Sequence, residues 1–206
     1  MPALARPQAT HRPAGCVLID LGAALARVAD ALDQARVDYL VVGSTAAAAW
    51  GVARMTRDVD IVALVDADHV NLILSVLTSE DLYVSAEDAK QAAERGGGSF
   101  NVIHLSSGGK VDIFVSGPGD LFTAARIARR QPADVFGVST WVATAEDVVL
   151  AKLRWRLQSR SEVRWRDCVE IAKVQALDRD YLWRWAETLA ISQDLGELLA
   201  EVDQSP

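Results

Sequence analysis

Cysteine is scarce in this chain of 206 residues: there are two, Cys16 and Cys168. They lie far apart and neither has metal-ligand spacing, which excludes a disulfide framework and a cysteine zinc site. Histidine numbers three and forms no zinc-like cluster with them. Long apolar runs are missing too. The best candidate, residues 16–25, is short and interrupted by Asp20, so no membrane span is expected. A cytoplasmic setting fits these absences. An excess of positive charge is also lacking: the net charge is −7 and the isoelectric point near 5.0, not the signature of an obvious nucleic-acid binder. The N-terminal stretch carries Arg6, His11 and Arg12, but Pro2, Pro7 and Pro13 break it up. Residues 1–18 therefore read as a flexible arm and not as a signal peptide.

What remains is a half-apolar chain long enough for one good core with a helical appendage. Leu21, Leu25, Val28 and Leu32 recur at helical spacing and predict a helix over 21–35. A short buried strand over 39–42 ends at Gly43, and an alanine-rich helix is expected over 44–53. A strand over 58–65 follows, then a helix over 68–77, a strand over 82–84 and a helix over 87–94. Gly96, Gly97 and Gly98 stop that helix. The runs 100–105 and 110–115 flank Ser106–Gly109 and signal a hairpin. A helix over 121–130 and an extended segment over 135–142 complete the mixed part. From Ala145 onward strand signals disappear, and three or four helices are expected, with turns near Ser159, Asp178 and Ser192. The expected class is α/β (α+β): a small mixed sheet flanked by helices over 19–143, and a helical subdomain over 144–206.

Chemistry is expected first at Asp58–Val59–Asp60–Ile61. Alternation along a strand places Asp58 and Asp60 on one face, with Val59 and Ile61 turned to the core. Adjacent carboxylates repel each other, and a divalent cation would relieve that repulsion. Gly43 and Ser44 follow a buried strand and open a helix, where glycine permits close approach of a phosphate and free N–H groups favour an anion. Asp112, within Lys110–Val111–Asp112–Ile113–Phe114, is a third carboxylate in an apolar strand. If the two strands are neighbours, three carboxylates converge at a site suited to magnesium, a cation that takes oxygen ligands and keeps substrate phosphates.

This order, Gly43–Ser44, then Thr56–Arg57–Asp58–Val59–Asp60–Ile61, then Asp112, resembles the nucleotidyltransferase superfamily over residues 39–115. The resemblance implies that Asp58 and Asp60 bind Mg2+, and that Asp112 acts as a third metal ligand or as base for an acceptor hydroxyl. It implies a nucleoside triphosphate substrate, with Gly43, Ser44, Thr56 and Arg57 on its binding side. Farther on, Glu146–Leu153 and Arg166–Ile171 resemble the helical segment of the AbiEii/MenT-like toxins, a branch of that superfamily. By that likeness Lys152 contacts the triphosphate, and Asp167 positions it or the lysine.

The charge is uneven. Lys152, Arg154, Arg156, Arg160, Arg164 and Arg166 are opposed locally only by Glu162, and such a stretch could meet a phosphate backbone. Trp155 and Trp165 lie among these cations, where an aromatic could stack a base, but they are expected in the core. Trp183 and Trp185 are expected in the core or an interface, and His104 is expected to be structural. The expected activity is transfer of a nucleotidyl group to an acceptor hydroxyl, with release of pyrophosphate. The acceptor named first is the 3′ end of tRNA, for a toxin paired with an antitoxin protein. A small acceptor such as an aminoglycoside, and a non-catalytic nucleotide-binding module, are the alternatives.

Overall fold

The structure, a computed structural model, describes residues 19–117 and 119–204. The arm expected over 1–18 lies outside the described residues, as does Cys16. Helix α1 (Leu21–Gln34) opens on Asp20, whose carboxylate accepts from the Ala23 amide. The chain continues through β1 (Tyr39–Val42), α2 (Gly43–Ala49), β2 (Val59–Leu64), α3 (Ala67–Leu77), β3 (Leu82–Val84) and α4 (Ala86–Arg95). It then runs through β4 (Ser99–His104), β5 (Lys110–Ser116), α5 (Leu121–Arg129), β6 (Gln131–Val135) and β7 (Val138–Val142). Four helices close it: α6 (Ala145–Ser159), α7 (Glu162–Val174), α8 (Arg179–Thr188) and α9 (Ser192–Asp203). No described helix is long and apolar enough to cross a membrane.

The seven strands form one mixed sheet in the order β3-β4-β5-β2-β1-β7-β6. Strands β2 and β5 are parallel neighbours at its centre, and β1 lies antiparallel on the other side of β2. Alternation sorts their side chains onto two faces. Tyr39, Val41, Val59, Ile61, Ala63, Val111, Ile113 and Val115 enter one core, built with α1, α3 and α4. Leu40, Val42 and Val62 enter a second core. That core also holds Phe122 and Ile127 of α5, Val149, Leu150 and Leu153 of α6, and Leu182, Leu195 and Leu198 of α8 and α9. The C-terminal helices thus pack directly on the sheet and share its apolar interior.

Two expected elements differ. The segment over 135–142 is a hairpin, in which β6 pairs with β7 and the chain reverses at Phe136–Gly137. Both turn residues have positive φ (53° and 79°), the conformation of a tight hairpin turn, and Asp134 accepts from the Gly137 amide at 2.9 Å. Phe-Gly is not a usual turn pair, and Pro132 argues against a strand interior. Strand β6 lies at the sheet edge, where a missing N–H is tolerated. The helix expected over 44–53 is α2 and stops at Ala49, before Trp50 and Gly51 (φ 105°). The Trp50 indole N–H then donates to the Ala143 carbonyl at 2.7 Å, tying this turn to the start of α6.

Candidate active site

The face of β2 and β5 opposite α1 carries Asp60, Lys110, Asp112 and Phe114. Asp60 and Asp112 are partners in the parallel register, so the two strands bring these carboxylates side by side, on the face that meets the C-terminal helices. Asp58 precedes β2 by one residue, in a bend rather than in the strand. Two hydroxyls fix it there. Thr56 donates to the Asp58 carbonyl at 2.9 Å and lies 3.4 Å from its carboxylate, and Thr45 reaches the same carbonyl at 3.5 Å. Thr56, expected on the triphosphate side, thus holds Asp58 in this structure. Arg57 is exposed and has no ion pair or hydrogen bond among the described residues.

The carboxyl of Asp60 is pushed up to about 6, first by burial, then by Asp58 and Asp112, with Lys152 and Lys110 pulling the other way. A site that crowds negative charge to this degree is one a cation would relieve. The donor set is all hard oxygen, the chemistry magnesium takes. The third carboxylate, however, is engaged: Asp112 accepts from Lys110 at 2.7 Å. Among the described residues no group of three or more carboxylate, histidine or cysteine side chains is arranged to hold a metal ion. Magnesium commonly uses one or two carboxylates plus substrate phosphates, and Asp58 with Asp60 fits that requirement without Asp112.

Gly43 is needed here for a reason its sequence context does not reveal. Its φ is +66°, and a Cβ at this position would overlap the Asp60 carboxylate. The glycine makes room for the acid. Gly43→Ala should therefore displace Asp60 as well as strain the backbone, since a non-glycine residue in this region costs roughly 1–2 kcal/mol. The expected result is a melting temperature lowered by a few degrees, with weaker binding of magnesium nucleoside triphosphate in a titration. Unchanged binding would show that Asp60 need not sit where it is. Ser44 is half-buried, and its hydroxyl has no protein partner among the described residues. Helix α2 starts from Val42 without a side-chain cap, whereas Asp20, Asp66, Ser85, Asp120, Thr144, Ser161 and Asp178 each cap a helix.

Helices α6 and α7 bring Lys152 and Asp167 together as expected. The Lys152 ammonium donates to Asp167 at 2.7 Å, and the two residues are 7% and 4% exposed. Arg54, in the segment between α2 and β2, approaches the same carboxylate oxygen at 3.4 Å. Lys152 lies close enough to Asp60 to favour its ionised form.

A cleft of about 480 Å³ opens beside Asp60. The sheet contributes Asp60, Val62, Phe114 and Ser116; α5 adds Phe122, Thr123 and Arg126; α6 adds Arg154, Trp155 and Gln158; α7 adds Arg164. Trp155, expected in the core, is 52% exposed and lines this cleft. It follows Arg154 on the side of α6 turned away from Leu150 and Leu153. Trp165, also expected in the core, is only half-buried against it, its indole donating to Glu201 at 2.8 Å and its ring covered by Arg156. Arg156 is itself paired with Asp194 at 2.6 Å. The basic stretch 152–166 is thus divided among separate tasks and does not form one continuous face. Trp185 packs on Phe122, whereas Trp183 is 42% exposed. His104 bonds to Ser107 at 2.8 Å within the hairpin.

Sequence reasoning passed over Arg126. A signal was present: Phe122, Thr123, Arg126 and Ile127 form the buried face of α5, and a cation on an apolar face calls for an explanation.

No protein-family model and no curated protein matches the sequence. Solved structures match in shape. An antigenic nucleotidyltransferase-like protein from Paracoccidioides brasiliensis covers 88% of this chain and 92% of its own, with a TM-score of 0.54 at 16% identity. The antibiotic-resistance factor ANT(2'')-Ia covers 88% of this chain and 94% of its own, with a TM-score of 0.49 at 12% identity. The first likeness shows that the chain has a nucleotidyltransferase-like fold.

Proposed function

We propose that the chain transfers a nucleotidyl group from a nucleoside triphosphate to an acceptor hydroxyl, and that the acceptor is the 3′ end of tRNA. In this reading it is the toxin of a toxin–antitoxin pair. One observation carries the chemistry: Asp60 and Asp112 lie in register on one sheet face, with Asp58 at the strand entrance and the buried Lys152–Asp167 pair nearby. Such a cluster of charges at the mouth of a cleft has an evident catalytic use and a cost to folding.

The residues divide the work as follows. The Gly43–Ser44 turn, with its free hydroxyl and uncapped helix start, receives phosphate oxygens. Lys152 supplies a positive charge to the triphosphate, and Asp167 fixes the direction of the ammonium. Asp58 and Asp60 would hold the magnesium that comes with the triphosphate, which would supply neutralisation of phosphate charge. The acceptor oxygen forms a bond to the α-phosphorus, the bond to the β-phosphate bridge breaks, and pyrophosphate leaves with that electron pair. Asp112 takes the hydroxyl proton, or serves as a third metal carboxylate while that proton passes to water; Lys110 bonds one of its oxygens and leaves the other for either role.

The test is incubation of the full chain with each radiolabelled nucleoside triphosphate, magnesium and total tRNA, beside an Asp58→Ala control. Label should enter RNA with the native chain and be absent with the variant. Pyrophosphate release with no label in RNA would replace tRNA by a small hydroxylated acceptor. Triphosphate binding with no turnover of any kind would leave a binding module.

A further inference from the structure

Arg126 is 8% exposed, yet among the described residues no carboxylate lies within ion-pair distance of it. Its guanidinium donates to the Thr123 hydroxyl at 2.7 Å and lies 4.5 Å over the Phe122 ring, while its Nε has no partner. A guanidinium carries five N–H donors, and a buried charge left this incomplete is costly. The two acids whose charge reaches it are already bonded to other groups: Asp147 accepts from the Thr144 and Tyr181 hydroxyls, and Asp120, the cap of α5, accepts from the Ser116 hydroxyl and from both the amide and hydroxyl of Thr123. Arg129, one turn further along α5, shows the ordinary solution, pairing with Glu146 at 3.0 Å.

The same cleft receives Arg154, which has no partner among the described residues, and Arg164, whose guanidinium meets only the Ser159 hydroxyl at 2.9 Å. Three arginines with no ion pair among the described residues therefore wall a cavity that Asp60 and Asp120 also line, together with an exposed tryptophan.

Resting on the transferase reading above, we infer that this helical wall is the acceptor's phosphate subsite: Arg126, Arg154 and Arg164 receive a phosphodiester of the acceptor, and Trp155 stacks on its terminal base. Arginine suits phosphate because its planar fork can bond two oxygens at once. An aromatic face takes any base, so the wall selects for a phosphate and a ring and not for a sequence. The donor triphosphate is bound elsewhere, by the Gly43–Ser44 turn and Lys152.

The experiment is titration of the full-length chain, in magnesium, with three probes: the dinucleoside monophosphate CpA, adenosine, and the α,β-methylene analogue of ATP. CpA should bind on the order of 10-fold tighter than adenosine, an increment typical of charge-assisted contacts. Arg126→Gln should abolish that advantage, and Arg154→Gln should reduce it and flatten its salt dependence by about one phosphate contact. Both variants should bind the ATP analogue as the native chain does. Equal affinity for CpA and adenosine would overturn the inference, and so would a loss of ATP-analogue binding that matches the loss for CpA, which would give these arginines to the donor. If the native chain binds neither this analogue nor its guanosine, cytidine and uridine counterparts, the transferase reading itself falls. If Arg126→Gln does not melt cooperatively, Arg126→Lys and the surface variant Arg154→Gln decide the matter. Full CpA preference in both of these would refute the assignment.

Discussion

Asp60→Asn should make the metal-free protein more stable at neutral pH while abolishing the proposed transfer. The side chain is kept in shape, so Gly43 still has the same neighbour, but a carboxylate crowded by Asp58 and Asp112 becomes neutral. The sign follows from linkage. With a folded-state value near 6 against an ordinary 3.8, the folded chain binds more protons than the unfolded chain between about pH 4 and 6, so the native protein loses stability as pH rises through that window. Above it the full penalty stands, on the order of 2 kcal/mol once partial solvent screening is allowed for. In EDTA at pH 7.5 the Asn variant should therefore melt several degrees higher than the native chain, and near pH 4 the two should converge. Transfer should fall on the order of 100-fold or more, the usual scale for removing a main source of charge stabilisation. A variant less stable than the native chain at pH 7.5 would mean that Asp60 is held by favourable contacts and not crowded by its neighbours.

The second large effect is expected at the buried pair. Asp167→Ala leaves Lys152 charged and buried, with Arg54 beside it and no acid within bonding distance, and should cost roughly 3–5 kcal/mol. Lys152→Met should cost less, because Arg54 remains at 3.4 Å to answer the aspartate. The double variant Lys152→Met with Asp167→Leu should regain most of the lost stability, since apolar groups of similar size often replace a buried ion pair without loss. It should still be inactive. Urea unfolding of the three variants gives the coupling directly. A double variant as unstable as Asp167→Ala would show that the pair supports the packing of α6 on α7. A double variant with native activity would remove Lys152 from the proposed chemistry.

Much of this could be read along the chain because it depends on local rules. Strands β1 and β3 fall at their expected bounds, and helix α1 follows its apolar spacing closely. The shared face of Asp60 and Asp112 follows from alternation once the two strands are neighbours. What could not be read depends on partners distant in sequence. Gly43 looked like a phosphate turn, whereas its lack of a Cβ first accommodates Asp60, and only the β1–β2 register reveals that. Asp112 looked free, yet Lys110 stands two residues away on the same strand face and reaches it. Trp155 was placed inside because tryptophan is usually buried, but α6 turns that side to a cleft formed with α5 and α7. The meaning of Arg126 lies in distant partners too, since the acids near it are bonded to other groups.

The two-faced strand at the centre of the sheet has a consequence for how this chain can vary. Along Val59–Leu64, odd positions feed one interior and even positions the other. Adding or removing a single residue at the start of this strand would exchange the two sets. Asp60 would be carried into the oily layer under α1, and Val59 or Ile61 would stand in the reaction cleft. Two residues gained or lost would restore the parity and shift only the height of the acid. Length changes in this lineage should thus accumulate in the loops before and after β2, and where they enter the strand they should come in pairs. The inheritance of the acid is tied to an even count.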